Sequence, residues 1–228
     1  MNERITVLDI DVNDYTAKHA MKQTMQYMQT EALNVIEMVT AETLMYAKEE
    51  PKLKEDISRC DLILPGEKEI LEAANITEKR HLQEVEACTY LKLFLHYLHK
   101  NHFRGFFLAE NEQEEEELCR YLQESYKGIQ IAGAGSFEVE KCSADMITKA
   151  VNGSEADCVI SALASPFQES FVIKNRNLLN ARVWLGAGKL LHSFYKNENR
   201  KGRFVKFIIH RIFKHEIEKK RREMQLEG

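Results

Sequence analysis

The chain of 228 residues is poor in residues that break or crosslink a fold. With three prolines and ten glycines it offers neither a low-complexity linker nor a glycine-rich repeat. Its five cysteines, Cys60, Cys88, Cys119, Cys142 and Cys158, are odd in number and contain no Cys-x-x-Cys pair. That argues against a disulfide framework and against a cysteine zinc site, and it leaves free thiols, expected to be buried. No apolar run approaches the roughly 20 residues that a membrane-spanning helix needs. The opening Met1-Asn-Glu-Arg-Ile-Thr-Val7 lacks an apolar signal core, so a cytoplasmic location is expected. A Walker loop, a Gly-x-Gly-x-x-Gly turn and a Ser/His/Asp order are missing as well. Gly133-Ala-Gly135 follows a strand pattern but lacks the third glycine. His96, His99 and His102 recur in strict threes, which rotates them off one helix face, so no metal site is expected.

What is present is an ordinary soluble composition, 44% hydrophobic and 30% charged, long enough for one good-sized domain and an appendage. The net charge of −4 conceals an asymmetry. From Lys196 onward there are eleven Lys/Arg against five Asp/Glu, while the remainder carries 21 basic and 31 acidic residues. An acidic body with a basic tail points the tail at an anionic surface. Nucleic acid is not the expected partner, because no exposed basic sheet with interleaved aromatics is in view.

Hydrophobic periodicity divides the body into alternating strands and helices. Strands are expected at Ile5–Val12, Asn34–Thr40, Asp61–Pro65, Phe103–Ala109, Gly128–Ala132, Val159–Leu163 and Ala181–Gly186. Helices are expected from Thr16 onward with Ala20, Met21, Met25 and Met28 as core filler, and from Ala41 to a stop at Pro51. Others are expected over Lys52–Arg59, Glu67–Asn101 with a break near Asn75–His81, Asn111–Tyr126 and Ser143–Val151. Strands alternating with helices imply a Rossmann-like, mostly parallel α/β sheet covered on both faces, spanning residues 1–195. Residues 196–228 read as a basic amphipathic helical appendage. In it Phe204, Ile208, Ile212 and Phe213, with Val205, Ile209 and Ile217, form an apolar face ringed by Arg203, Lys206, Arg211, Lys214 and Lys219 to Arg222. Such a face either packs on the core or a second subunit, or meets anionic lipid headgroups.

The chain is organised around Cys158 to Arg176. A buried-strand run turns at Ala164-Ser165-Pro166. Ser165 suits an N-cap, Pro166 the first helical position and Gln168 the far side of a capping box. A turn of this kind lies at the carboxyl end of a strand, where open sheets collect ligands, and a helix start offers N–H groups to an anion.

Ala164-Ser-Pro-Phe-Gln-Glu169 followed by Asn175-Arg176 resembles the Gly/Ala-x-Pro-x-Gln-Glu…Asn-Arg signature of the WecG/TagA/CpsF glycosyltransferases, glycosyltransferase family 26. Val39-Thr-Ala-Glu-Thr43 resembles the family's Thr-x-Asn segment, Cys60-Asp-Leu-Ile-Leu-Pro65 its Ala-Asp-Leu-Val-Leu-Pro segment, and Gly186-Ala-Gly188 its Gly-x-Gly. The basic terminal helix is similar to the family's membrane-associating tail. The resemblance implies a Rossmann-like, metal-independent, inverting hexosyltransferase without a cofactor. It would move an N-acetylmannosamine-type sugar or other hexose from a UDP-sugar to a lipid-linked diphosphate sugar, as a peripheral protein at the inner face of the cell membrane. Self-association is a further expectation, and a non-catalytic relative that binds a sugar nucleotide, a partner or a membrane is the alternative.

Several family positions differ. The Asp after Leu-Pro, the expected base, is Gly66; the Asn of Thr-x-Asn is Glu42; Gly-Gly after the middle strand is Ala109-Glu110, followed by Glu112 and Glu114 to Glu117. The Arg-Val-x-Gly-x-Asp segment is Glu84-Val-Glu-Ala-Cys-Thr89, and the Asp after Gly-x-Gly falls at His192. Glu67 and Glu42 are therefore the candidate bases. The resemblance assigns Thr40, Ser165, Gln168, Glu169, Gly186 and Gly188 to the donor and Arg211 and Arg203 to the diphosphate or acceptor.

Overall fold

The computed structural model describes residues 4–137, 143–196 and 200–226, apart from the side chains of 200–205, 224 and 226. Strands β1 (Arg4–Val7) and β2 (Ile10–Asn13) pair antiparallel. The single strand expected over Ile5–Val12 is thus a hairpin. Leu8 and Asp9 adopt φ of 49° and 62° and turn the chain back. Helix α1 (Ala17–Tyr27) is capped by the Thr16 hydroxyl, which accepts from the His19 N–H. Met21 and Met28 are buried, and Met25 is exposed.

Strand β3 (Asn34–Val39) leads into α2 (Ala41–Glu49), and Glu50 joins it to α3 (Pro51–Ser58), where proline takes the first helical position. Strand β4 (Leu62–Pro65) follows, then α4 (Lys68–Ala73), α5 (Lys79–Glu86) and α6 (Thr89–Asn101). The long helical region therefore breaks twice. The second break, at Cys88 with φ 49°, is one the hydrophobic pattern did not signal. Strand β5 (Arg104–Ala109), α7 (Glu112–Ser125), β6 (Gln130–Ser136), α8 (Ala144–Ser154), β7 (Cys158–Ser161), α9 (Phe167–Asn175) and β8 (Val183–Gly186) complete the body. Helices α10 (Lys189–Tyr195) and α11 (Arg200–Leu226) end the described chain.

Among the described residues the main sheet has six strands in the order β4-β3-β8-β7-β5-β6, every neighbouring pair parallel. Side chains alternate between its faces. Ile36, Phe107, Ile160 and Leu185 join the core under α1, α6 and α7, while Val35, Leu108, Val159 and Trp184 join the core under α8 and α9. After β3 the chain steps outward to β4, and it returns last as β8 on the other side of β3. The carboxyl ends of these strands and β7 consequently border one crevice.

Gly133 and Gly135 lie inside β6, not in a loop after it. The Phe106 and Phe137 rings fill the space where their side chains would be, so packing explains these glycines. His99 and His102 both bond Gly128, fastening α6 to the turn before β6. Cys158 is buried, but Cys60, Cys88 and Cys119 are only partly so; Cys142 is outside the described residues.

The appendage has two apolar stripes, where the sequence pattern implied one. Phe213 and Ile217 are buried with Ile209 beside them, and Phe207, Ile208 and Ile212 are exposed at 63%, 41% and 51%. The side chains of Phe204 and Val205 lie outside the described residues. The docked stripe meets the cluster formed by α2, α3, α4 and the hairpin. Lys48 pairs with Glu216 and Lys220 with Asp9, and Arg221 donates to the Ala73 carbonyl at 2.7 Å and to Asn75 at 2.8 Å. No helix among the described residues is long and apolar enough to cross a membrane.

Candidate active site

Over the carboxyl ends of β3, β4, β7 and β8 lies a cavity of about 330 Å³. Thr40, Glu42, Glu67, Ser165, Gln168, Glu169 and Gly188 all line it. Gly186 lies at the end of β8, where a Cβ would collide with Glu37 and approach Gln168. Of the two tail arginines, Arg211 lines a different groove, between α4 and α11, and the Arg203 side chain is outside the described residues. Among the described side chains of the tail, Lys206 is the cation that reaches the cavity, one helical turn before His210. Asn175 and Arg176 do not line it; Arg176 instead donates to Asp61 at 2.6 Å and to the Leu33 carbonyl, tying α9 to the sheet.

Two local expectations are corrected at the organising turn. Pro166, not Ser165, is the N-cap of α9, and no side-chain capping bond is made. Ser165 donates to Glu169 Oε1 instead, and Gln168 donates from Nε2 to Glu37 Oε1 at 2.9 Å. A local partner, Glu169, has taken the serine hydroxyl, and a distant one, Glu37, the glutamine amide.

Thr40 caps α2 by accepting from the Thr43 N–H at 3.1 Å. The preceding free N–H of that helix, on Ala41, donates to Glu67 Oε2 at 3.0 Å. Glu67 thus sits where a helix start favours an anion. Lys206 Nζ lies 3.3 Å and His210 Nε2 3.2 Å from its carboxylate, and His210 Nδ1 lies 2.9 Å from Glu69. Burial acts to raise the Glu67 carboxyl, but His210, Lys206 and the Ala41 N–H outweigh it, leaving the group below the ordinary value. His210 is raised to about 9 by the Glu67 and Glu69 carboxylates that its two ring nitrogens face.

That coupling has a definite sign. A histidine raised from 6.5 to about 9 contributes stability that is complete below 6.5 and lost as pH climbs through 9. Titration of the His210 ring protons by NMR should give a midpoint near 9, and Glu69→Gln should move it down toward 6.5. A midpoint near 6.5 in the unaltered protein would show that the Glu67–His210–Glu69 contact does not form in solution.

Glu42, on the first turn of α2, pairs with Lys189 at 3.1 Å across the cavity mouth. Gly188 enters α10 at φ +49°, a conformation that favours glycine. At Gly66 a Cβ would strike Leu190 and come within 2.7 Å of the Val39 carbonyl, so a larger residue there requires neighbours to move. Burial, followed by the charge of Glu169, pushes the Glu37 carboxyl well above its usual range. Glu169 is raised too, chiefly by burial, against the opposing bond from Ser165.

Glu37, Lys189, Lys206 and His210 were not singled out as site residues from the sequence. Glu37 carried a legible signal, as an acid amid Asn34-Val-Ile-Glu-Met-Val39, a buried apolar run. The other three required knowledge of where α10 and α11 dock.

An open parallel sheet with a crevice of carboxylates and lysines at its carboxyl edge defines the class of α/β proteins that take ligands at a topological switch point. Within that class the chain belongs to the glycosyl transferase WecG/TagA/CpsF family, whose profile it matches over residues 5–207. It is 21% identical over 194 residues, 84% of this chain and 75% of the relative, to the N-acetylglucosaminyldiphosphoundecaprenol N-acetyl-beta-D-mannosaminyltransferase of Staphylococcus aureus (strain MRSA252). The family read from the Ala164–Glu169 turn is borne out.

Proposed function

We propose that this protein is an inverting hexosyltransferase of cell-surface polysaccharide or teichoic-acid-type assembly. It moves an N-acetylmannosamine-type sugar, or another hexose, from a UDP-sugar to a lipid-linked diphosphate sugar. The observation that carries the reading is the Glu67–Lys206 pair inside the cavity of a chain belonging to this family. A carboxylate to accept a proton and a cation to meet a diphosphate are the two groups that such a transfer needs.

Lys206 and Lys189 are held by Glu67 and Glu42 and stand ready to pair with the donor diphosphate. Glu67, or Glu42 as the second candidate, takes the proton of the acceptor hydroxyl as its oxygen bonds the anomeric carbon. The bond from that carbon to the phosphate oxygen breaks, and UDP leaves with the electron pair. Thr40, Ser165, Gln168, Glu169, Gly186 and Gly188 shape the donor pocket. Arg211, in its separate groove, and Arg203 serve the acceptor diphosphate. The exposed Phe207, Ile208 and Ile212, flanked by exposed Arg211 and Lys214, present an apolar and basic face to anionic lipid at the inner membrane surface.

The test is calorimetric titration with UDP and UDP-sugars, followed by UDP release in the presence of a lipid-diphosphate sugar. Binding and release are expected. Binding without release would favour the non-catalytic alternative, and no binding of any uridine nucleotide would refute the reading.

A further inference from the structure

Glu37 is only 2% exposed, in the middle of an apolar strand. Its Oε1 accepts from Gln168 Nε2, and the missing side chain of Gly186 on the adjoining strand makes room for the pair. The consequence is chemical. The bond of one Gln168 N–H to Glu37 fixes which end of the carboxamide is oxygen, and that oxygen is buried without a partner. Glu169 repeats the pattern, since Ser165 occupies Oε1 and Oε2 is buried and unpartnered. Gln168 and Glu169 are 2% and 0% exposed, and both line the cavity.

An unpaired buried acceptor costs about 1–3 kcal/mol, so the Gln168 oxygen, and Glu169 Oε2 when that carboxyl is ionised, call for donors. A phosphate presents acceptors and negative charge and offers these two oxygens no donor. A sugar presents hydroxyls and, in an N-acetylhexosamine, an amide N–H, all of them donors.

We propose that Glu37 is a positioning residue. It holds the Gln168 carboxamide with the carbonyl oxygen toward the cavity, so that Gln168 and Glu169 select hydrogen-bond donors on the transferred sugar. This rests on the UDP-sugar reading above. Either protonation state of Glu37 retains an acceptor for Gln168 Nε2, because a proton taken up by the carboxyl can sit on Oε2, the oxygen that Gln168 does not use. Glutamine at position 37 would offer both a donor and an acceptor, letting Gln168 pair in either orientation; leucine would remove the anchor.

The experiment titrates the full chain and its Glu37→Gln and Glu37→Leu variants with UDP, UDP-N-acetylhexosamines and UDP-glucose. Melting curves confirm folding, and the near-isosteric glutamine variant stands if the leucine variant does not fold. The preference for the best UDP-sugar over UDP should fall about tenfold or more, with UDP affinity itself nearly unchanged. An unchanged preference in folded variants overturns the inference while leaving the transferase reading intact. Saturation-transfer NMR with free N-acetylhexosamines at millimolar concentration separates the remaining case. If the wild-type protein binds no uridine nucleotide, the transferase reading falls. Free-sugar binding that the variants lose would then uphold the role of Glu37, and no such binding would end it.

Discussion

Phe213→Ala should detach α11 from the α/β body, at a cost of about 3–5 kcal/mol, the range for emptying a buried phenylalanine site. Phe213 is 2% exposed and shares a cluster with Val39, Leu44, Ile57 and Ile70. Ile217, one turn on, is the other buried apolar side chain described in α11. The ion pairs beside them, Lys48–Glu216 and Lys220–Asp9, join partly exposed groups and contribute little each. Loss of the phenyl ring should therefore show first as local opening, ahead of global melting. Hydrogen exchange is the direct measurement: amides of α11 should lose protection while those of β3, β7 and β8 keep theirs. Ile212→Ala is the contrast, since Ile212 is 51% exposed, and its effect should stay within about 0.5 kcal/mol. Equal protection in the two variants would mean that the helix is held elsewhere. Opening has a consequence for the cavity, because Lys206 and His210 leave Glu67 when α11 lifts.

How much of this was legible depended on the range of the interaction. Alternation of apolar runs with amphipathic ones is local, and it placed β3 to β8 and the helices between them, except for the break at Cys88 that divides α5 from α6. The β1–β2 turn was not legible, because Leu8 and Asp9 are not glycine yet take positive φ, held there by the fold around them. Ser165 and Gln168 made a good local capping box, but Glu169 and Glu37 bind them instead, and the bond to Glu37 links residues 131 apart in sequence. The appendage pattern correctly indicated an amphipathic helix. It could not divide Ile208 and Ile212 from Phe213 and Ile217, since that division depends on the surface against which the helix docks. The same limit hid Lys206 and His210, whereas Glu42, Glu67, Gln168 and Glu169 were found through motif positions and do meet in one cavity.

Glu67→Gln should lower the transfer rate by roughly 10²–10⁴-fold, the usual contribution of a general base, with UDP-sugar affinity retained or improved. The resting carboxylate is a weak base. Its proton affinity is depressed by His210, Lys206 and the Ala41 N–H, which stabilise the charge. A donor diphosphate entering the cavity is the stronger claimant for Lys206. Drawing that lysine away removes one stabilising cation and raises the basicity of Glu67 as the donor becomes seated. The glutamine side chain cannot take a proton and pairs weakly with Lys206, so it frees the lysine for the diphosphate; hence the split between rate and affinity. Glu42→Gln gives the comparison, because Glu42 faces the same cavity and pairs with Lys189. If the Glu42 change abolishes transfer and the Glu67 change leaves it intact, the base lies on α2. In that event Glu67 is an internal anion that fastens α11 to the start of that helix.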